Sequence, residues 1–544
     1  METDVLIVGG GPCGLMLANE LGPRGIRCLL VDSKPGTAFN PQANATQART
    51  MEHYRRLGFA DEIRALGLPP DHPTDIVYFT RFSGYELARL ELPTAAEAVR
   101  KVKEMSGSWS AAELPHRVSQ KYVEQALKRR AERWPTNDVR YGWVLEDFQG
   151  ESTHVNASVR PVENGAPVQV RARYLVGADG ARSMVRRRLG IEWGGMTGVQ
   201  RYFMGGKMFA VYMLAPALRA AMPHRLGWMH VVVNHERRGF MMPVDGGAEF
   251  VFHAALHPGE DADAWTEGDA RRLFAQAFGR EIPIEVLSAC TWTAGHSLVA
   301  QRLQQGRIFI AGDAAHLFTP TGGLGYNTAV EDAVNLGWKI AHVLRGAAGV
   351  QLLSSYEPER RPAAERNTGY ARRFADSVGL YPAGPELEEP GPRGDAARAA
   401  ASAHLNAHAR LEFNIPGVTF GTRYDGSPVI VPDGSVPPPD EPNRYVPSAC
   451  PGGRAPHAWL PDGRSLFDTF HFEWTLLALG PQPPDPGAFT QSKMDLKVVR
   501  HTDPKLRELY EAPLALIRPD QIVAWRGSDA TEARKIIAVV SPRP

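Results

Sequence analysis

The sequence predicts an α/β protein: a doubly wound parallel sheet, discontinuous along the chain, with a smaller mixed or antiparallel sheet inserted and a further domain after it. Three observations carry this. Residues 4–8 (DVLIV) and 28–32 (CLLVD) are short continuous apolar runs, as strands buried on both faces should be, with a glycine-rich turn and a helical stretch between them. Two more such runs, YLVGADG at 174–180 and RIFIAGDAA at 307–315, follow at long intervals, so one sheet is assembled from distant segments. Between them, residues 226–256 carry MHVVVN, GFMMPV and EFVFHAAL, divided by turn signals such as DGG at 245–247.

The remaining elements fall into place around these. After 307–315, Ala329, Val330, Ala333, Leu336, Ile340 and Leu344 recur at helical spacing and predict one inward apolar stripe. Residues 381–397 are rich in Pro, Gly and Glu and read as a linker. The expected organisation is therefore a discontinuous first domain over 1–380, interrupted by a second at about 190–285, a linker at 381–400, and a C-terminal domain over 401–544.

Composition excludes several classes. At 544 residues, 43% apolar and 22% charged, the chain is an ordinary globular protein of more than one core. Lys plus Arg number 61 against 60 Asp plus Glu, so nothing favours nucleic acid as a partner. Four scattered cysteines (Cys13, Cys28, Cys290, Cys450) show no CxxC spacing, which disfavours a disulfide framework or a structural zinc and fits a reducing compartment. No apolar run reaches the roughly 18 residues a bilayer span needs. The N-terminal apolar segment follows Glu2 and Asp4 rather than a basic region, so it does not read as a signal peptide. A cytoplasmic protein without a membrane partner is the expectation, with a homodimer left open.

Gly9-x-Gly11-x-x-Gly14 sits between a strand and a helix, and Asp32 ends the next strand. Small residues let the backbone approach a pyrophosphate, the helix N-terminus offers free N–H groups, and an acidic side chain accepts from ribose hydroxyls. That spacing predicts a dinucleotide site but leaves NAD and FAD both open. The later turns bear on the choice: Gly177-Ala178-Asp179-Gly180 with Ser183 and Arg186, then Gly312-Asp313-Ala314-Ala315-His316 followed by Pro320, Gly322, Gly323, Gly325 and Asn327.

With the first turn, these resemble the three fingerprints of class A flavoprotein monooxygenases, the single-component aromatic hydroxylases built like para-hydroxybenzoate hydroxylase. The resemblance implies that Asp313 binds ribityl or ribose hydroxyls of FAD, and that Gly312, Pro320, Gly322, Gly323, Gly325 and Asn327 lie along the cofactor, with Asp179 beside it. It also implies contacts from Arg49, in QANATQARTME, and from Gln120 after Ser119. His316 is expected to be structural. Pro451–Leu466 and Ile517–Arg526 resemble the C-terminal, thioredoxin-like domain of phenol hydroxylases and aromatic-polyketide hydroxylases. Cys450 stands alone there, so dithiol chemistry is excluded and a packing role is expected.

By that resemblance the chemistry is flavin-mediated: NAD(P)H reduces FAD, O2 adds to form a C4a-hydroperoxide, and its terminal oxygen goes to an electron-rich ring. A phenol reacts faster as the phenolate, and an apolar chamber must keep water out. Phenol hydroxylases carry an aspartate where this chain has Asn44, which cannot take a proton at neutral pH. Either the substrate ionises unaided or a base lies elsewhere, with His230 and His253 as candidates; Met241 and Pro320 are further pocket candidates. No second GxGxxG is found, which suits transient NAD(P)H docking. Baeyer–Villiger-type oxygen insertion, a flavin-binding protein without turnover and an NAD-dependent dehydrogenase using only the first turn are the alternatives.

Overall fold

The computed structural model describes residues 1–257, 259–260, 265–492 and 494–542. Small parts of the second and C-terminal expected domains, including the last two residues, thus lie outside the described residues. Strand Glu2–Val8 pairs in parallel with Cys28–Asp32 on one side and with Val168–Gly177 on the other. The last of these pairs in parallel with Ile308–Ile310. The three fingerprint strands therefore lie next to one another, although the sequence separates them by more than a hundred residues each time. They are continuous apolar runs because both faces are covered: helix Pro12–Leu21 packs under helix Leu324–Leu344, and almost every residue of each is buried. An antiparallel pair, Trp143–Gly150 and Val155–Pro161, extends from Val168–Gly177.

The second sheet has seven strands, and its extent differs from the expected insertion at about 190–285. Gly206–Leu214, Met229–Val232, Gly239–Pro243, Glu249–Ala255 and Glu285–Ala294 come from that region, but Ile76–Phe79 and Glu86–Leu90 complete one edge. The join is a parallel pairing, Met229 against Ile76 through Val232 against Phe79. Both faces of this sheet are buried. One packs on helix Glu267–Phe278 through Phe274 and Phe278. The other faces the first domain, where Tyr78, Met208, Tyr212, Trp228, Phe240 and Met242 gather with Ala45, Ala375 and Val378.

The stretch expected as a linker needs correction. Its Pro-rich first half does run as loop and a short turn, but Pro392–Phe413 is a 22-residue helix. Pro392 at the first helical position and the alanine-rich run behind it favour that helix, and Ala401, Leu405 and Ala409 bury against the second sheet. This helix consequently belongs to the second domain's wall and not to the C-terminal domain.

That last domain is a four-stranded sheet: Trp474–Leu479 lies between Leu496–His501, parallel, and Leu514–Ile517, antiparallel, with Val523–Gly527 outside the latter. Helix Ala533–Val540 closes it. A seam of buried ion pairs fastens it to the first domain. Glu52 accepts from Arg454 at 2.5 Å, Glu359 from Arg518 at 2.7 and 2.9 Å, and Glu473 from Arg24 at 3.1 Å. Each of these side chains is at most 4% exposed. At such burial a pair is stable only when every oxygen and N–H is matched, and Lys339, Asn335 and Ser427 complete the set around Glu359.

Candidate active site

Three turns open at one edge of the parallel sheet, stitched by backbone hydrogen bonds. Gly9 N–H donates to Val31 O at 2.8 Å, Ala178 N–H to Val8 O at 2.7 Å, and Ala311 N–H to Gly177 O at 3.0 Å. Gly9 has φ +112°, and a Cβ there would sit 2.1 Å from Ala178 O, so the first and second turns touch only because Gly9 has no side chain. A Cβ on Gly14 would meet Gly9 O at 1.9 Å. Gly11 is different: a Cβ there would meet nothing within 4 Å, so it borders open space at the start of helix Pro12–Leu21, which has no side-chain cap. An uncapped helix N-terminus beside a gap suits a pyrophosphate. Asp32 shapes this end, its Oδ2 accepting from Gly10 N–H at 2.7 Å.

The third turn shows two features of a site built for a polar ligand. Asp313 is ringed by protein, and that burial pushes its pKa above the usual carboxylate value, with His316 pulling the other way. Its side chain is nonetheless open to water and accepts no hydrogen bond among the described residues, as a carboxylate awaiting sugar hydroxyls would be. Beyond it, Gly322 and Gly323 both have positive φ and lead into helix Leu324–Leu344. The amides of Leu324, Gly325 and Tyr326 meet no acceptor among the described residues, leaving a row of donors with a helix dipole behind them. Pro320 is exposed at the mouth of this loop. The residues present thus fit FAD: the amides of Gly11, Cys13 and Gly14 for the pyrophosphate, Asp32 and Asp313 for hydroxyls, and amides at Leu324–Tyr326 for the electron-rich end of the ring.

Several expected contacts have other work. Asp179 caps helix Met184–Arg188, accepting from Ser183 Oγ at 2.6 Å, Met184 N–H at 2.7 Å and Val185 N–H at 3.1 Å, so its carboxylate is not free for a cofactor. Arg49 turns away from the cleft into the seam, donating to Glu52, Gln521 and the Asp520 carbonyl. Gln120 donates to Glu124 at 2.7 Å and Gln42 at 3.3 Å, and its N–H holds Ala43 O, which orders the 38–44 segment. The Asn327 side chain is fully used on Gln47 N–H, Thr50 Oγ1, Ala45 O and Gly323 O, leaving only its backbone toward the cleft. His316 donates to Asp332 at 2.6 Å, and the same oxygen accepts Gly312 N–H at 3.0 Å while Arg360 takes the other at 2.7 Å. Asp332 escaped the sequence reading because it lies inside a helix with no local signal.

The pocket candidates separate by strand parity. His230 and Met241 are cross-strand partners and share the far face, away from the cleft; His230 stacks on Phe79, meets Phe82 edge-on, and its Nε2 accepts from Gly227 N–H. Neither can line the chamber. His253 is on the near face, stacked 4.5 Å from Phe240, but its Nδ1 accepts from Trp292 Nε1 at 3.0 Å. Burial lowers its pKa to about 3, so it is neutral, with its one lone pair already occupied. That disqualifies it as a base. Asn44 reaches the near face at Met242 Sδ. A buried carboxylate that the sequence did not flag does meet the loop: Glu412 accepts from Gly322 N–H at 2.9 Å and from His408 at 2.9 Å, beside Tyr78.

A three-turn cleft at the carboxyl ends of parallel strands, facing a second sheet, is the dinucleotide-binding arrangement of an α/β fold, and its residues fit FAD. Comparison with known proteins agrees. A family model described as an FAD binding domain matches residues 2–371, and one described as an aromatic-ring hydroxylase C-terminal domain matches 448–541. Aklavinone 12-hydroxylase DnrF of Streptomyces peucetius is 34% identical, covering 88% of this chain and 91% of that protein. Phenol 2-monooxygenase of a Pseudomonas species (strain EST1001) is 30% identical over 97% of this chain and 90% of that protein. Among solved structures, the rebeccamycin biosynthetic enzyme RebC with reduced flavin superposes with a TM-score of 0.87 at 33% identity over 99% of both chains. The chain belongs to the FAD-binding family of aromatic-ring hydroxylases, and it is an FAD-dependent monooxygenase.

Proposed function

We propose that this enzyme hydroxylates a phenolic ring, using NAD(P)H and O2, in the chamber between the glycine loop and the near face of the second sheet. The single observation that supports it best is the row of amides at Leu324–Tyr326 that meet no acceptor among the described residues, in a loop whose Gly323 abuts Ala45 of the apolar near-face cluster. FAD, held by the three turns, would supply the redox chemistry, accepting a hydride from NAD(P)H and activating O2 toward an electron-rich ring. The chain does the rest. The helix N-terminus at Leu324–Tyr326, with open amides and a helix dipole, would stabilise negative charge on a bound flavin. Tyr78, Met208, Phe240 and Met242 exclude water, which protects a reactive oxygen species from waste. Glu412, buried and paired with His408, holds the loop through Gly322 N–H.

Related proteins named as phenol and aklavinone hydroxylases support a phenolic substrate, monocyclic or polyketide-derived. No described helix is long and apolar enough to cross a membrane, and the free cysteines support residence in a reducing cytoplasm. We read the C-terminal sheet as thioredoxin-like and purely structural. The test is NAD(P)H oxidation by the FAD-loaded protein across catechols, hydroxybenzoates, nitrophenols and polycyclic phenols. A product heavier by one oxygen with its ring intact supports hydroxylation. A cleaved or expanded ring transfers the reading to oxygen insertion, and no stimulation by any phenol refutes turnover of this class.

A further inference from the structure

Arg117 is a buried cation without an anion. Only 9% of it is accessible, its guanidinium lies 3.8 Å over the Trp228 ring, and it makes no ion pair among the described residues. Arg24, Arg360, Arg454 and Arg518 are each matched by a carboxylate, and the buried Arg186 and Arg238, which make no ion pair, donate to backbone carbonyls, whereas the Arg117 guanidinium has no hydrogen-bond acceptor among the described residues. Desolvation is the one influence acting on it, pulling its pKa down, with no carboxylate raising it back. A guanidinium in this position stays charged, so the structure carries an uncompensated positive site.

The register shows where that site opens. Arg117 lies directly opposite Ala45 in a two-stranded antiparallel pair, and opposed residues project to the same face. Ala45 touches the flavin loop, because a Cβ on Gly323 would sit 2.9 Å from the Ala45 Cβ. Trp228 belongs to the near-face cluster of the second sheet, with Ala45 and Tyr78. The buried Trp228 Nε1 is also without a partner among the described residues. A planar cation and an indole N–H, neither hydrogen-bonded among the described residues, therefore lie in the cluster that borders the flavin loop, beside the chamber in which the aromatic is proposed to bind.

We propose that Arg117, seated on Trp228, binds an anionic oxygen of the aromatic substrate, a carboxylate or a phenolate, and so selects anionic over neutral aromatics. This rests on the hydroxylase reading and names the substrate class for the same chamber. A flat guanidinium over an aromatic platform presents its N–H groups sideways to a carboxylate or phenolate lying in the plane of a bound ring.

The experiment uses the FAD-loaded full chain. Hydroxybenzoate and hydroxynaphthoate are compared with their methyl esters, and 4-nitrophenol with 4-cresol, by perturbation of the flavin absorbance and by stimulated NAD(P)H oxidation. The wild type should take the anionic member of a pair at least about tenfold more tightly, the gain of a charged hydrogen bond. Preference for the acids identifies a carboxylate, and preference for the nitrophenol a phenolate. Arg117→Met should erase the preference while leaving neutral ligands within about twofold. Arg117→Lys, which retains charge but not the planar fork, should reduce it and decides the matter if the methionine variant fails to fold. Equal affinity within every wild-type pair, or a preference undiminished in the variants, overturns this inference while stimulation by neutral phenols leaves the hydroxylase reading standing. If no phenol of either kind perturbs the flavin or stimulates oxidation, the hydroxylase reading falls and this inference with it.

Discussion

Replacing Asp332 by asparagine should loosen FAD and the first domain together. Asp332 is wholly buried and accepts three hydrogen bonds, from Gly312 N–H and His316 through one oxygen and from Arg360 through the other. Asparagine has one carbonyl. Whichever way it turns, its NH2 meets either the Arg360 guanidinium or the Gly312 and His316 donors. Breaking a buried ion pair from one side costs about 3–5 kcal/mol. Arg360 retains Glu331, Tyr424 and the Thr328 carbonyl, which places the loss near the lower figure. A loss of about 3 kcal/mol is a large share of the 5–15 kcal/mol that holds a typical protein folded. If about half is felt at the Gly312–Asp313 turn, FAD affinity falls about tenfold. Calorimetry of apo and FAD-loaded protein reads the first effect, and fluorescence titration of apoprotein with FAD the second. A variant with wild-type melting and wild-type FAD affinity would refute the idea that this triad shapes the third turn.

Other outcomes follow from the same geometry. Gly11→Ala should fold normally yet purify without colour, because its new methyl projects into open space where the pyrophosphate belongs, whereas Gly14→Ala should fail to fold stably, its methyl colliding with Gly9 O; circular dichroism and FAD content separate the two. His230→Leu should leave kcat and its pH profile unchanged and cost about 1–3 kcal/mol in urea unfolding through the orphaned Gly227 N–H, and a displaced kinetic pKa would restore His230 as a base. Burial pulls His116, His230, His253 and His457 down to about 3 and His342 to about 4. Their folded values lie below that of a free imidazole, so the stability they carry is complete above about pH 6.5 and is lost as pH falls toward those lower values, by up to about 1.4 kcal/mol per unit for each. Urea midpoints at pH 7 and 5 should therefore differ strongly, and equal midpoints would show these rings already charged in the fold. Asp313→Asn should weaken FAD without destabilising the apoprotein, since the carboxylate has no internal partner to lose; a drop in apoprotein melting would reveal an unseen structural duty.

The parts of this molecule that were legible in the sequence are local. Gly9, Gly11 and Gly14, the apolar runs, and the Asp313 turn announce themselves within a few residues, because tight turns and doubly buried strands demand particular residue types. What escaped is set by distant pairing. Ile76–Phe79 joins a sheet some 150 residues away, and no local pattern marks that edge. His230 and His253 could not be told apart because both faces of their sheet are buried, so apolar alternation does not say which face meets the cleft. Asp179 and Asn327 sit where a fingerprint places them, yet their side chains hold their own turns, a division of labour between backbone and side chain that spacing alone does not reveal. Arg117 and Glu412 acquire meaning only from what surrounds them.

The buried ion pairs at the junction with the last hundred residues have an engineering consequence. Each side of that junction carries charges whose counterparts reside on the other, Arg24, Glu52 and Glu359 on one side and Glu473, Arg454 and Arg518 on the other. A chimaera that borrows its carboxyl-terminal portion from a cousin inherits a lock cut for a different key, and must import the matching teeth as well.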